Sequence, residues 1–268
     1  MKKIVPVLCL LAFFTFSCNN NKPNEAADNS PAILPPTVMN YQVLKILPHD
    51  TSSFTEGLFL HDGAFYESTG METKSFLRKN NIETGKAIQQ TKLGDEYFGE
   101  GISMINNKIY QLTYKEHKVF VYDMNFKKIQ ELYWPYEGWG MTTDGKQLII
   151  STGGSNIYFV NPETFKIERT LGVINNNGYV DSINELEYVD GFIYSNVWYS
   201  NYINKINIKT GLVEARADLT DIFKKTGLPS EFDDQKGSVL NGIAYNPETK
   251  SFYVTGKYWS KIFEIRFN

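Results

Sequence analysis

Residues 98–133 read FGEGISMINNKIYQLTYKEHKVFVYDMNFKKIQELY. Short runs in this stretch alternate apolar and polar residues, as in Lys118-Val119-Phe120-Val121-Tyr122, and Gly, Asn and Asp break them. A period of two turns one face of a strand to a core and the other to solvent. The stretch therefore reads as four antiparallel strands forming one sheet. Weak copies of it recur. FTEGLFLHDGAFYEST begins at Phe54 and its unit ends in NIETGKAIQQTKL. GWGMTTDGKQLIISTG is followed by NPETFKIERTL, and NELEYVDGFIYSNVW by NIKTGLVEARADL. LNGIAYNPETKSFYVTGKYW runs into KIFEIRFN at the chain end.

The anchors Glu56, Glu100, Trp139, Glu185 and Asn241 are 44, 39, 46 and 56 residues apart. Blades of a β-propeller take about 40 to 50 residues and four strands each. The fifth unit stops after three strands, and Tyr41-Gln42-Val43-Leu44-Lys45-Ile46-Leu47 reads as the missing outer one. The predicted fold is all-β: a five-bladed propeller closed by an N-terminal strand that completes the last blade and removes an open edge. A β-sandwich is the rival, but five similar units with a split blade favour the ring. The one helix-like piece, Asp218 to Thr226 (DLTDIFKKT), stops at Gly227 and Pro229 and lies in the longest interval.

Composition agrees with a globular domain: 42% hydrophobic, 15% aromatic and 21% charged residues. A net charge of -3 gives no basic face for nucleic acid. The 3 His (His49, His61, His117) and 2 Cys show no HxH, HxxxH or CxxC spacing, so no transition-metal site is expected.

Lys2, Lys3 and the apolar run Ile4 to Phe16 form an export signal, too short for a comfortable membrane span. The run ends at Ser17-Cys18. Residues 1–18 thus resemble a bacterial lipoprotein signal with Cys18 as the lipidated first residue; an ordinary secretory signal is the alternative. Residues 19–40, rich in Asn, Ala and Pro, read as a flexible tether, and residues 41–268 as the propeller. The expected location is outside the cytoplasm, facing the periplasm or the cell exterior. The lipid is the only membrane contact, and the protein is expected to be a monomer.

In a propeller the loops at one end of the innermost strands make the pocket. First-strand starts bring Phe54, Glu56, Phe98, Glu100, Trp139, Asn184, Glu185 and Asn241 to one rim. Second-strand ends add Ser68, Tyr114, Thr152, Trp198 and Lys257. Taken singly, Trp139 and Trp198 read equally as inter-blade packing, and Asn184 and Asn241 as turn caps. Glu100, within Phe98-Gly99-Glu100-Gly101-Ile102, is different. It reads as a desolvated carboxyl with a raised pKa, suited to proton transfer, or as the partner of Lys257 across the channel, a pair that would also suit catalysis.

The segments SFTEGL (53–58), YFGEGI (97–102), INELEY (183–188), LNGIAY (240–245) and VTGKYW (254–259) carry a further signal, with EGWGM and NVW between them. Together they resemble the plant- and bacterial-type glutaminyl cyclases, or glutamine cyclotransferases, over essentially all of residues 41–268. That resemblance implies a five-bladed propeller that converts the N-terminal glutamine of peptides to pyroglutamate and releases ammonia, with no metal or organic cofactor. It also implies the roles. Glu100 shuttles the proton; Lys257 and Asn184 bind substrate, either one donating to the γ-carbonyl oxygen. Phe54, Phe98, Trp139 and Trp198 form aromatic walls, joined by Tyr114, where relatives carry Trp. Glu56 departs from the pattern, which has Gln there, and its carboxylate is read as holding the substrate ammonium. A non-catalytic propeller that binds peptides or surface material is the alternative.

Overall fold

The computed structural model describes residues 32–268. The signal, Cys18 and the tether up to residue 31 lie outside the described residues. Five antiparallel four-stranded units follow one another along the chain. Blade 1 holds Thr55–His61, Ala64–Thr69, Phe76–Asn81 and Ala87–Lys92. Blade 2 holds Gly99–Ile105, Lys108–Thr113, Lys118–Tyr122 and Lys128–Tyr133, the stretch quoted first above. Met141–Thr143, Leu148–Ser151, Asn156–Val160 and Ile167–Gly172 make blade 3. Ile183–Val189, Phe192–Val197, Tyr202–Asn207 and Val213–Asp218 make blade 4.

Blade 5 is the split one. Leu240–Asn246, Ser251–Gly256 and Lys261–Phe267 come from the end of the chain, and Tyr41–Pro48 pairs antiparallel with the last of them, Tyr41 opposite Phe267 and Pro48 opposite Lys261. The closure has the predicted strands. Order begins earlier than the boundary at Tyr41, however. Thr37–Val38 runs parallel to the outer strand of blade 4, opposite Ala215 and Arg216, and Met39 is buried. The tether reading of residues 19–40 is corrected at its end: the apolar Met39 finds a seam to fill. The helix-like piece shrinks to one turn, Ile222–Lys225. The Asp218 side chain instead accepts from the backbone and hydroxyl of Thr220, a local turn that competes with helix.

The apolar residues form five clusters, one per seam between neighbouring blades. Phe159, Leu171, Ile183 and Leu186 lie between blades 3 and 4; Ile203, Phe252, Trp259 and Phe263 lie between blades 4 and 5. Each fully buried Leu, Ile or Phe is worth about 1.5–3 kcal/mol, so the hydrophobic drive acts seam by seam around the ring.

The inner strands of blades 1, 2, 4 and 5 share one irregularity. The register with the second strand slips at Glu56, at Glu100-Gly101, at Asn184-Glu185 and at Asn241-Gly242. A bulge adds one unpaired residue and re-aims its side chain, here near one end of the axis. Gly101 follows the anchor because a Cβ there would lie 2.5 Å from both the Met141 nitrogen and the Trp139 oxygen. Lower on the axis, Glu185 accepts from Leu58 and Ile243 backbone N–H groups, and Glu187 from Tyr245 N–H and the Thr142 hydroxyl. These two carboxyls, Glu185 buried and Glu187 partly so, brace blades 1, 3 and 5 against blade 4. Burial raises both, Glu187 to about 8.

The closing seam carries a polar clasp. His49, just past the closing strand, sets Nδ1 2.7 Å from the Trp259 carbonyl and Nε2 3.0 Å from Glu67 Oε1. Both nitrogens face acceptors, so both donate and the ring is an imidazolium. Burial opposes that charge, but Glu67 outweighs it and holds the ring above its usual value. Glu67 also accepts from Thr55, Ser53 and Asn80. The Arg78–Asp50 pair at 2.8 Å lies beside it.

Candidate active site

The bulges and the second-strand ends meet in a cavity of about 230 Å³ at one end of the ring. Phe54, Glu56, Phe98, Glu100, Tyr114, Trp139, Asn184, Trp198 and Lys257 all line it, so the nine residues given a catalytic or substrate-binding role are brought together. The aromatic rings contact one another around the wall. Phe54 and Phe98 meet edge to face at 6.0 Å, Phe98 and Tyr114 lie 5.8 Å apart, and Trp139 and Trp198 meet edge to face at 5.5 Å.

At the floor, Lys257 Nζ donates to Glu56 Oε1 at 2.6 Å, and Asn241 Nδ2 donates to Glu56 Oε2 at 3.2 Å. The ammonium lies 4.3 Å from the centre of the Phe54 ring. Lys257 thus pairs with Glu56, not with Glu100 as one reading of the sequence had it. The ammonium that Glu56 holds is the protein's own. The reason is the seam: blades 5 and 1 are neighbours, and Tyr258 N–H to the Ser53 carbonyl at 2.7 Å holds their rims together.

Glu100, on blade 2, is 5% exposed, and its Oε2 has no hydrogen-bond partner in the protein. Burial raises its carboxyl well above the usual value, and the neighbouring Glu56 charge adds to the rise. Burial pushes Glu56 up as well, but the Lys257 ammonium pulls it back. Of the pair, Glu100 is the one pushed further toward its protonated form. Asn184 Oδ1 is likewise buried without a partner. The floor presents a desolvated carboxyl, an ammonium and an amide to an amino-acid-sized space walled by rings. Among the described residues no group of three or more His, Cys, Asp or Glu side chains is placed to hold a metal ion.

A family model described as glutamine cyclotransferase matches residues 10–267. The chain belongs to the glutamine cyclotransferase family. Among its relatives, a glutaminyl-peptide cyclotransferase of Arabidopsis thaliana is 34% identical over 232 residues, which cover 84% of this chain and 70% of the relative. The crystal structure of Myxococcus xanthus glutaminyl cyclase superposes with a TM-score of 0.79 at 31% identity, covering 87% of this chain and 98% of that one.

Within this cyclotransferase fold, four residues assigned to the rim do not line the cavity. Ser68 accepts from Gln111 inside the sheet, Glu185 turns to the axis as described, and Asn241 backs Glu56. Thr152 is not among the lining residues either. The wall also includes Tyr199, Gly237 and Val239, which the repeat did not single out. Tyr199 lies one residue past the aligned Trp198, and Gly237 and Val239 belong to the insert before blade 5, where no repeat position exists to point to them.

Proposed function

We propose that the chain is a glutaminyl-peptide cyclotransferase: it converts the N-terminal glutamine of peptides to pyroglutamate and releases ammonia. The observation that carries the reading is the buried Glu100, its Oε2 without a partner, beside the Glu56–Lys257 pair in an amino-acid-sized aromatic pocket of a glutamine cyclotransferase family member. A propeller that only binds has no use for a carboxyl desolvated in this way.

The reaction is an intramolecular acyl transfer. The neutral α-amine attacks the γ-carboxamide carbon, and the C=O electrons move to oxygen. The oxyanion then re-forms the C=O as the C–N bond to the amide nitrogen breaks. One proton must leave the attacking nitrogen and one must reach the departing one. Glu100 gives its proton to the leaving nitrogen and regains one from the attacking nitrogen, ending as it began. Glu56, kept anionic by Lys257, holds Glu100 protonated beforehand; two carboxyls pushed apart by their surroundings take different tasks. The Asn184 amide and a remaining Lys257 proton stabilise the oxyanion. The rings exclude water and fold the side chain into an attacking shape.

Purified protein incubated with a glutaminyl dipeptide should release one ammonia per pyroglutamyl product. Absence of ammonia release at any pH would refute the reading. We further propose export and anchoring through a lipid on Cys18, supported by the apolar run that ends at Ser17-Cys18. Cys18→Ser should move the protein from the membrane to the soluble fraction, and unchanged fractionation would argue against the anchor.

A further inference from the structure

We propose that Tyr199, with Trp198, is a ledge for the second residue of the substrate peptide, and that the enzyme favours peptides with an aromatic side chain there. The proposal rests on the cyclisation reading above and adds a substrate preference to it.

Three observations carry it. First, the cavity of about 230 Å³ falls below the roughly 300–1,000 Å³ of pockets that enclose drug-sized ligands. It takes the glutaminyl residue, so the second residue must lie at the mouth. Second, the most exposed aromatic rings of the lining are at that mouth: Trp198 is 44% and Tyr199 49% exposed. Their rings meet edge to face at 4.7 Å, continuing outward the Trp139–Trp198 contact of the inner wall.

Third, Tyr199 occupies a left-handed backbone position. The residue two past the end of the second strand is Met71 in blade 1, Gly153 in blade 3, Tyr199 in blade 4 and Tyr258 in blade 5. All four have positive φ, at +80°, +75°, +53° and +62°. The turn at Tyr199 is closed by Ser200, whose N–H and hydroxyl both donate to the Val197 carbonyl. This turn needs a left-handed residue, and a large aromatic one is strained there. Tyr258 has a use inside the protein, packing on Phe54 at 5.1 Å. The Tyr199 ring meets no ring but Trp198 among the described residues and leaves half its surface to solvent. A strained aromatic kept open beside a pocket too small for a peptide is placed for the part of the peptide left outside.

The test compares Gln-Phe and Gln-Gly amides by ammonia release in wild type, Y199F and Y199G. Wild type should show a higher kcat/KM for Gln-Phe. Y199F keeps the ring and should keep the ratio. Y199G should lower the ratio roughly two- to tenfold, the range of an aromatic pair contact, chiefly through KM. Its melting temperature should stay close to wild type, since glycine relieves the positive φ. Equal wild-type efficiency on the two peptides, or a ratio unmoved in Y199G, overturns the ledge while leaving cyclisation intact. No ammonia from either peptide overturns the cyclisation reading and the ledge with it.

Discussion

Replacing Glu100 by Gln preserves shape and removes the transferable proton. General acid–base catalysis contributes roughly 10²–10⁴-fold. The structure points to the upper half of that range. The only other carboxyl in the lining is Glu56, tied to Lys257 at 2.6 Å and Asn241 at 3.2 Å, so it is not free to take over. A loss in kcat of about 10³–10⁴ is expected, about 4–5.5 kcal/mol of barrier. Stability should move the other way. The folded-state pKa of Glu100 is raised, by burial and then by Glu56. Such a group contributes stability that is complete below the unfolded carboxyl value and is lost as pH rises through the folded one. Gln has no such loss. The melting temperature of E100Q relative to wild type should therefore grow as pH rises above the ordinary carboxylate range. Steady-state ammonia release and thermal melts at several pH values measure both effects. Retention of more than about a tenth of wild-type kcat would refute the proton shuttle, and a relative melting temperature that falls with pH would refute the desolvated carboxyl.

E56Q removes the anion beside Glu100 and leaves Lys257 to stabilise its carboxylate. The alkaline limb of the kcat profile should shift to lower pH; a rise in KM with an unmoved profile would instead restore Glu56 as the holder of the substrate ammonium. H49Q can satisfy only one of the two clasp acceptors and leaves Glu67 buried without its cation. Breaking a buried pair in this way costs about 3–5 kcal/mol, and an unchanged urea midpoint would show that the imidazolium is absent. Because the folded pKa of Glu187 is raised to about 8 by burial, wild type should lose stability as pH rises through that value, and E187Q should flatten the loss in melts across it. A wild-type curve flat across that range, or an equal slope in E187Q, counts against a desolvated Glu187.

The blades were readable because their determinants are local. Alternation in KVFVY and turn residues at hairpin ends act over a few positions, and their recurrence counts the sheets. The split blade followed from arithmetic, three strands at one end and an orphan at the other. The pocket residues were also readable, because a repeat puts equivalent residues at equivalent heights. The readings failed where equivalence does not set direction. In the bulge at Asn184-Glu185 one side chain enters the pocket and the next turns to the axis. In the sequence the two look alike.

Strand period, turn chemistry and repeat length thus carried the ring, its closure and much of the pocket, all visible in the order of residues. Pairing across the ring was not. Glu56 and Lys257 are 201 residues apart, and only the neighbourhood of blades 5 and 1 makes them partners at 2.6 Å. That contact leaves Glu100 without an ion pair, and burial raises its pKa. The charge on His49 is likewise set by two acceptors, Trp259 210 residues away and Glu67 on blade 1. The strain at Tyr199 comes from a turn that its neighbours close. Desolvation and Coulomb attraction depend on distance in space, and the chain's order does not encode that distance until the ring has closed.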